Sequence, residues 1–434
     1  MKATSITLTD FRSAPMRAFH MTWLAFFLCF FGWFGIAPLM PIIRAELHLT
    51  KDQVGNTIIA SVAITILARL LFGWLCDKFG PRRAYTALLV FGSLPVMGIG
   101  FANSYESFLA FRLAIGAIGA SFVITQFHTS VMFGPNVVGA ANATAAGWGN
   151  LGGGVTQMVM PLLVAAMASL GADAWWSWRL AMIVPGAALF VMGIAYYYFT
   201  QDSPEGDWTP KPTAGAGFRE ACRDPRVWSL AVMYAACFGM ELTIDNIAAL
   251  YFVDNFGLSI QTAGILAGTF GMMNLFARAL GGIISDRCHA KWGLRGRTTM
   301  LTATIALEGL ALMAFSQAKS VGLAVAAMLL TGLFIKLSNG ATYAVTPFIN
   351  KKAMGAVAGL VGAGGNIGAV AAGFLFKSSS SAWPQALLLL GVLVAASAGL
   401  ALFVKFSEAD ETAAHHEMIS RHGAAWQPAS VSGD

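Results

Sequence analysis

Charge is scarce in this sequence. Of 434 residues only 11% are Asp, Glu, Lys or Arg, while 57% are hydrophobic. Soluble domains carry about 25% charged residues, so the composition excludes an ordinary soluble globule and suits a chain that lives in lipid. Cysteine is scarce as well. Cys29, Cys76, Cys222, Cys237 and Cys288 show no paired spacing and no metal-ligand pattern, which argues against a disulfide scaffold or a metal site and reads as buried or cytosolic thiols. No nucleophile–base constellation and no cofactor motif is present, so an enzyme has no support and no cofactor is expected. No cleavable signal peptide is read, because the first apolar stretch is too long for one and follows a polar tail.

What the chain has instead is long apolar runs. Twelve stretches of membrane-spanning length recur, at 19–43, 54–76, 84–102, 105–132, 137–170, 177–200, 226–253, 259–285, 298–317, 320–347, 353–376 and 383–406. The net charge of +6 does not indicate nucleic acid, because the basic residues are sorted by connection. One side collects Lys78, Arg82 and Arg83; Lys211, Arg219, Arg223 and Arg226; Arg287, Lys291, Arg295 and Arg297; Lys351 and Lys352; and the tail residues Lys2, Arg12, Arg17, Lys405 and Arg421. The other side holds only Arg44, Lys51, Arg179, Lys319 and Lys377. The positive-inside rule then puts both termini in the cytoplasm of an inner (plasma) membrane protein. Trp175, Trp176 and Trp178 read as anchors at the opposite interface. His415, His416 and His422 read as part of a solvated tail.

The stretch "QDSPEGDWTPKPTAGAGFREACRDPR" is rich in Pro, Gly and charge and reads as a linker. The expected organisation is a cytoplasmic tail 1–18, a six-helix bundle 19–200, a linker 201–225, a second bundle 226–406 and a tail 407–434. Two repeated motifs support the division. "ARLLFGWLCDK" and "ARALGGIISDR" align Arg69, Gly73 and Asp77 with Arg278, Gly282 and Asp286 at an offset of 209. "GWGNLGGGV" and "GAGGNIGAV" align Asn150 with Asn366 at an offset of 216. Parallel six-span repeats with a midplane site between them are the major facilitator plan.

An ionisable group in a span is costly, so its default reading is functional. The set is Arg69, Arg112, Glu241, Asp245, Arg278, Glu308 and Lys336. Arg69 and Arg278 are repeat equivalents, and a pseudo-twofold axis would bring both guanidiniums to one centre. A guanidinium is flat and presents paired donors, which suits a planar oxyanion. The alternative is a pair of arginines held by backbone carbonyls or by Glu241 and Asp245. Those two acids are spaced i, i+4 on span seven and share a helix face. Either they carry a proton, since two close carboxylates resist joint ionisation, or they balance the arginines' charge. Arg112 reads as a packing residue of span four. Glu308 and Lys336 read as cavity-lining or mutually paired.

The glycine run "AAGWGNLGGGV" lacks the Lys-Ser/Thr ending of a phosphate loop and lies inside a span. Its glycines suit close helix approach, and the amide of Asn150 can donate to an oxyanion.

Several motifs carry a family resemblance. "GWLCDKFGPRR" resembles the loop motif of the major facilitator superfamily, and "RLAIGAIGA" resembles its span-four motif. The copy after span eight is degenerate, broken by "CHAKWGLRG". "NATAAGWGNLGGGVTQMVMPL" and "GLVGAGGNIGAV" look like the two nitrate signatures of the nitrate/nitrite porter family. "MELTIDNIAALYF" and "IQTAGILAGTFGMMNLFARALGG" resemble its high-affinity nitrate transporter branch. The resemblance implies an all-α membrane protein of major facilitator fold, with twelve transmembrane helices in two pseudo-symmetric six-helix bundles. It implies that Arg69 and Arg278 bind nitrate, that Asn150 and Asn366 are the signature asparagines, that Phe122 packs on the anion and that Tyr234 hydrogen-bonds it. It implies a gating role for Gly73, Asp77, Arg82, Arg83, Asp286 and Arg287. The family's nitrate/nitrite exchangers lack acids in span seven, so Glu241 and Asp245 point to proton symport. Plant members need a small partner membrane protein; nothing in this sequence points to one. The expected function is nitrate import with protons, nitrite being a further candidate substrate. The alternatives are nitrate/nitrite exchange or nitrite export and, from another class, a non-transporting nitrate sensor, although the tail from Ser407 has no signalling features.

Overall fold

The computed structural model describes residues 2–134, 137–208, 215–350, 354–377 and 383–412. Lys211, Lys351, Lys352, Arg421 and the three tail histidines lie outside the described residues. Among the described residues, eleven helices are long and apolar enough to cross a membrane. They are α1 (Ala14–Glu46), α2 (Lys51–Phe79), α3 (Pro81–Phe101), α4 (Tyr105–Met132), α5 (Val138–Ser169), α6 (Ala174–Phe199), α7 (Pro225–Phe256), α8 (Ile260–Ser316), α9 (Val321–Phe348), α10 (Ala356–Lys377) and α11 (Trp383–Phe403). A spanning helix needs about 20 residues, and α8 has 57. It turns at Trp292 and Gly293, where φ is −132° and +65°, so it divides into two arms, and the described residues hold twelve segments of spanning length.

The helix starts follow local chemistry. Thr50 and Gln53 close a capping box at α2, Asp173 accepts from the Trp176 N–H at α6, and Ser259 accepts from the Thr262 N–H at α8. Ser104 and Ser320 cap α4 and α9, repeat-equivalent helices, in the same way. Pro95, Pro161 and Pro185 sit inside helices, which membrane segments tolerate because neighbouring groups satisfy the freed carbonyls.

Within each half the third helix begins with a glycine turn. Gly80 (φ 85°, ψ 158°) precedes α3, and Gly293 (φ 65°, ψ −157°) precedes the second arm of α8. Each turn receives a carboxylate from the segment after its half's last helix. Asp202 Oδ1 accepts from the Arg82 N–H at 2.9 Å. Glu411 accepts from the Leu294 N–H at 2.7 Å and the Arg295 N–H at 3.3 Å.

The halves meet along two helix pairs, α2 with α10 and α5 with α8. Glycine makes the α5–α8 crossing possible: a Cβ on Gly154 would lie 2.6 Å from backbone atoms of Gly271. Towards the end remote from the chain termini, Gly264 meets Gln157 and Gly55 meets Lys377 equally closely. That end is also tied by Arg44 of α1, which donates to both oxygens of Asp254 on α7 at 2.6 Å. Trp175 and Trp176 are largely exposed at this end, as interface anchors are. Trp178 differs from that expectation. It is fully buried, and its indole N–H donates to Glu46 at 2.9 Å.

Candidate functional site

Arg69 on α2 and Arg278 on the first arm of α8 are both buried at the centre of the bundle. Phe238 on α7 stands between them: the Arg69 guanidinium carbon is 5.9 Å from its ring centre and that of Arg278 is 5.6 Å. Arg69 also lies 5.2 Å from the Phe122 ring of α4. These are cation–π distances.

The hydrogen bonding of the two arginines is incomplete. Arg69 Nη1 donates to the Gly362 carbonyl at 3.1 Å, and Arg278 Nη2 donates to Tyr234 Oη at 3.2 Å. Arg69 Nε and Nη2 and Arg278 Nη1 are buried with no protein acceptor. Buried polar groups are satisfied in the great majority of cases, so a cluster of orphans points to a ligand that supplies acceptors. Both amide atoms of Asn150 and both of Asn366 are likewise buried and unpartnered, and so is Tyr343 Oη.

Glycines bring these groups in. Gly362 lies in the second signature, and its carbonyl receives Arg69. A Cβ on Gly365 would lie 2.6 Å from Phe238 and 3.0 Å from Tyr234, so only glycine lets α10 press on that ring pair. In α5 a Cβ on Gly149 would collide with Phe26, whose ring packs 5.9 Å from Phe122. The second signature thus touches an aromatic that lies against both arginines, and the first reaches Arg69 through two rings, Phe26 and then Phe122.

Two aromatic residues escape sequence reasoning. Phe238 lies one turn beyond Tyr234 and stacks on it at 5.2 Å, so the i, i+4 spacing was an available signal. Tyr343 on α9 meets Tyr234 edge-on at 5.2 Å and Phe122 at 6.3 Å. Its place depends on the rotation of α9 about its axis, which hydropathy does not encode.

The span-seven acids have different surroundings. Glu241 is buried and fully held: Lys336 Nζ is 3.2 Å from Oε1, Asn274 donates to Oε1 at 2.8 Å, and Asn339 donates to Oε2. Lys336 therefore pairs with Glu241 and not with Glu308, and it also lies 3.9 Å from the Phe270 ring centre. Glu308 is buried with both oxygens unpartnered. Asp245 is 3% exposed and its Oδ1 has no partner. Arg112, buried, donates to the Trp33 carbonyl at 3.3 Å and to Asn246 at 3.2 Å, so it ties α4 to α1 and to α7 of the other half.

The residues of the loop motif gather at the end carrying the termini. The Trp208 indole donates to the Asp77 carbonyl at 2.7 Å. Arg82 pairs with Asp202 at 3.7 Å and with Asp207 at 2.9 Å, and Asp286 pairs with Arg297 at 2.7 Å. Gly73 faces Val123. Among the described residues, the Arg83 and Arg287 side chains make no hydrogen bond or ion pair.

Residues 22–350 match the family described as the Major Facilitator Superfamily. The chain is 40% identical over 401 residues to High affinity nitrate transporter 2.5 of Arabidopsis thaliana, covering 90% of this chain and 80% of that one. It is 34% identical over 422 residues to Nitrate transporter 2.2 of Chlamydomonas reinhardtii, covering 93% and 82%. With the Nitrate/nitrite transporter NrtP of Nostoc punctiforme it shares 28% over 432 residues, covering 82% and 85%. Among solved structures, a bacterial homolog to the human lysosomal transporter Spinster, in an inward-facing and unoccupied conformation, superposes with a TM-score of 0.67. That match covers 96% of this chain and 99% of the other at 17% identity, a likeness of fold alone.

Proposed function

Because the chain belongs to the nitrate/nitrite porter family of the major facilitator superfamily, we propose that it imports nitrate, with nitrite as a second substrate, by proton-coupled alternating access. The observation that carries this reading is the pair of buried guanidiniums, contributed by repeat-equivalent helices and left with unsatisfied donors, while the amides of the repeat-equivalent Asn150 and Asn366 are orphaned as well. Nitrate is planar, carries one negative charge and offers three acceptor oxygens, so it matches that set in charge and shape. The relatives' names point to the same anion.

In this reading Arg69 and Arg278 clamp the anion, Asn150, Asn366 and Tyr234 donate to it, and Phe122 packs on its face. The anion cancels the mutual repulsion of the two guanidiniums, and the halves 19–200 and 226–406 then rock about the site. The linker 201–225 and the tails 1–18 and 407–434 lie in the cytoplasm, where Gly73, Asp77, Arg82, Arg83, Asp286 and Arg287 form the gate. Carrying nitrate inward across an inner membrane opposes the membrane potential by about 2.3 kcal/mol per 100 mV. A proton carried by Glu241 or Asp245 offsets that work.

The test is nitrate uptake into proteoliposomes with and without an imposed pH gradient. Accumulation that follows the gradient is expected. Counterflow of nitrate against nitrite that ignores the gradient would establish exchange instead.

A further inference from the structure

We infer that Asp245, not Glu241, is the proton-carrying carboxyl, and that its neutral form is what lets the two halves close at the end remote from the termini. The inference rests on the proton-coupled import proposed above and assigns it to one side chain.

The two acids are one helical turn apart, yet only one of them spans the moving interface. The three partners of Glu241 are Lys336 and Asn339 on α9 and Asn274 on α8. All belong to the same half as Glu241, so rocking one half against the other leaves its charge satisfied throughout. Asp245 faces the opposite half. A Cβ on Gly153 of α5 would lie 3.3 Å from Asp245 Oδ2, and the Gln157 amide of α5 donates to the Asp245 backbone carbonyl. Phe34 of α1 closes the same corner, lying 3.6 Å from that Gly153 position.

The charges around Asp245 do not neutralise it. Glu241 lies on its own helix, and Lys336 approaches from α9 already paired with Glu241. Arg112 of α4 points its two terminal nitrogens at the Trp33 carbonyl and at Asn246, with only Nε left without a partner, and no bond joins it to Asp245. From α5 come a glycine and a neutral amide. An ionised carboxylate sealed there, with Oδ1 unpartnered, would pay a desolvation cost that no partner repays. The α5–α7 contact therefore closes on the protonated acid and opens on the ionised one. With the basic connections facing the cytoplasm, the remote end is external. Asp245 takes its proton from outside water while that end is open, the halves seal over it, and the proton leaves from Oδ to water on the terminal side. Gly153 thereby gains a role within the glycine run, since any side chain there would displace the Asp245 carboxyl.

The experiment uses the full chain, with Cys222 and Cys288 replaced by serine and spin labels on Ser169→Cys and Gln261→Cys, exposed positions at the remote ends of α5 and α8. In proteoliposomes, wild-type nitrate accumulation rises about tenfold per pH unit of gradient for one-to-one symport, and Asp245→Asn does not respond. Lowering the pH shifts the wild-type label distances towards the short population, whereas Asp245→Asn stays short at every pH. Gly153→Ala, which crowds Oδ2, moves the wild-type transition to lower pH. The inference is overturned if Asp245→Asn still accumulates nitrate with the gradient, if its label distances still move with pH, or if the wild-type distances do not. If wild type accumulates no nitrate while its label distances titrate and those of Asp245→Asn do not, the substrate reading fails and the assignment of the lock stands.

Discussion

Asp202 and Glu411, 209 residues apart in sequence, seat their carboxylates on the same turn of the two repeats. The offset equals that of Asp77 and Asp286, so the segment after each half's last helix is part of the duplication, not an appendage. Both turns use glycine with a positive φ and ψ near ±160°, a region essentially closed to other residues. A Cβ at Gly80 would lie 2.3 Å from Asp202 Oδ1, and one at Gly293 would lie 2.4 Å from Glu411 Oε2. Gly80→Ala and Gly293→Ala should each cost about 1–3 kcal/mol from backbone strain alone. Alanine at Gly139, where nothing lies within 4 Å, should cost much less. Thermal unfolding in detergent checks the difference.

Asp202 also carries a pH dependence with a definite sign. Burial pushes its carboxyl above the ordinary carboxylate range, with the Arg82 N–H and guanidinium working against that shift. The folded chain then keeps a proton at pH values where the unfolded chain has lost it. This residue's contribution to stability therefore falls as pH rises from the ordinary range through the raised value. Asp202→Asn keeps an acceptor for the Arg82 N–H and should flatten that decline. Asp202→Ala leaves the N–H unsatisfied and should lower stability by about 1–3 kcal/mol at every pH. Melting midpoints recorded from about pH 4 to pH 7, spanning the carboxylate range, separate the two.

Much of this was legible in the sequence, and what was not has a physical reason. The spans, the repeat, and the pairing of Arg69 with Arg278 follow from hydropathy and spacing, because lipid constrains composition strongly. The resemblance also named Asn150 and Asn366, whose side chains are buried with unpartnered amides. What spacing could not give is the rotation of one helix against another. That rotation sends Lys336 to Glu241 instead of Glu308 and turns Trp178 inward onto Glu46. It also brings Tyr343 against Tyr234. The carboxylate of Glu411 closing a turn 118 residues earlier is a long-range contact of the same kind, visible only once the repeat is folded.

The clamp predicts a graded loss. Arg278→Lys keeps the charge but presents a point donor in place of a planar fork, and it cannot donate to Tyr234 and an anion in the same geometry. A charge-assisted hydrogen bond contributes about 1.5–3 kcal/mol, so nitrate affinity should fall by about one to two orders of magnitude. Arg69→Lys should behave alike, since its guanidinium has two unpartnered nitrogens to lose. Nitrate-dependent thermal stabilisation, titrated over concentration, reads the affinity without requiring transport. Equal affinity in the lysine variants would remove the clamp.

Lys336 and Glu241 test whether buried charge here serves stability or arrangement. Both are essentially inaccessible, at 0% and 1% exposure, and each is the other's counter-ion at 3.2 Å. Removing one charge leaves the other uncompensated in low dielectric, so Lys336→Met should destabilise by about 3–5 kcal/mol. Glu241→Gln should cost a similar amount, because Lys336 then has only the Phe270 ring for company. The double variant removes both desolvation costs and should recover much of the loss, giving a coupling energy of several kcal/mol in a double-mutant cycle. Stability restored in this way, with proton-driven accumulation retained, would mean that the pair only balances charge and that the coupling proton resides elsewhere on α7. Additive losses would instead show that Lys336 and Glu241 act independently, with Asn274 and Asn339 carrying the carboxylate.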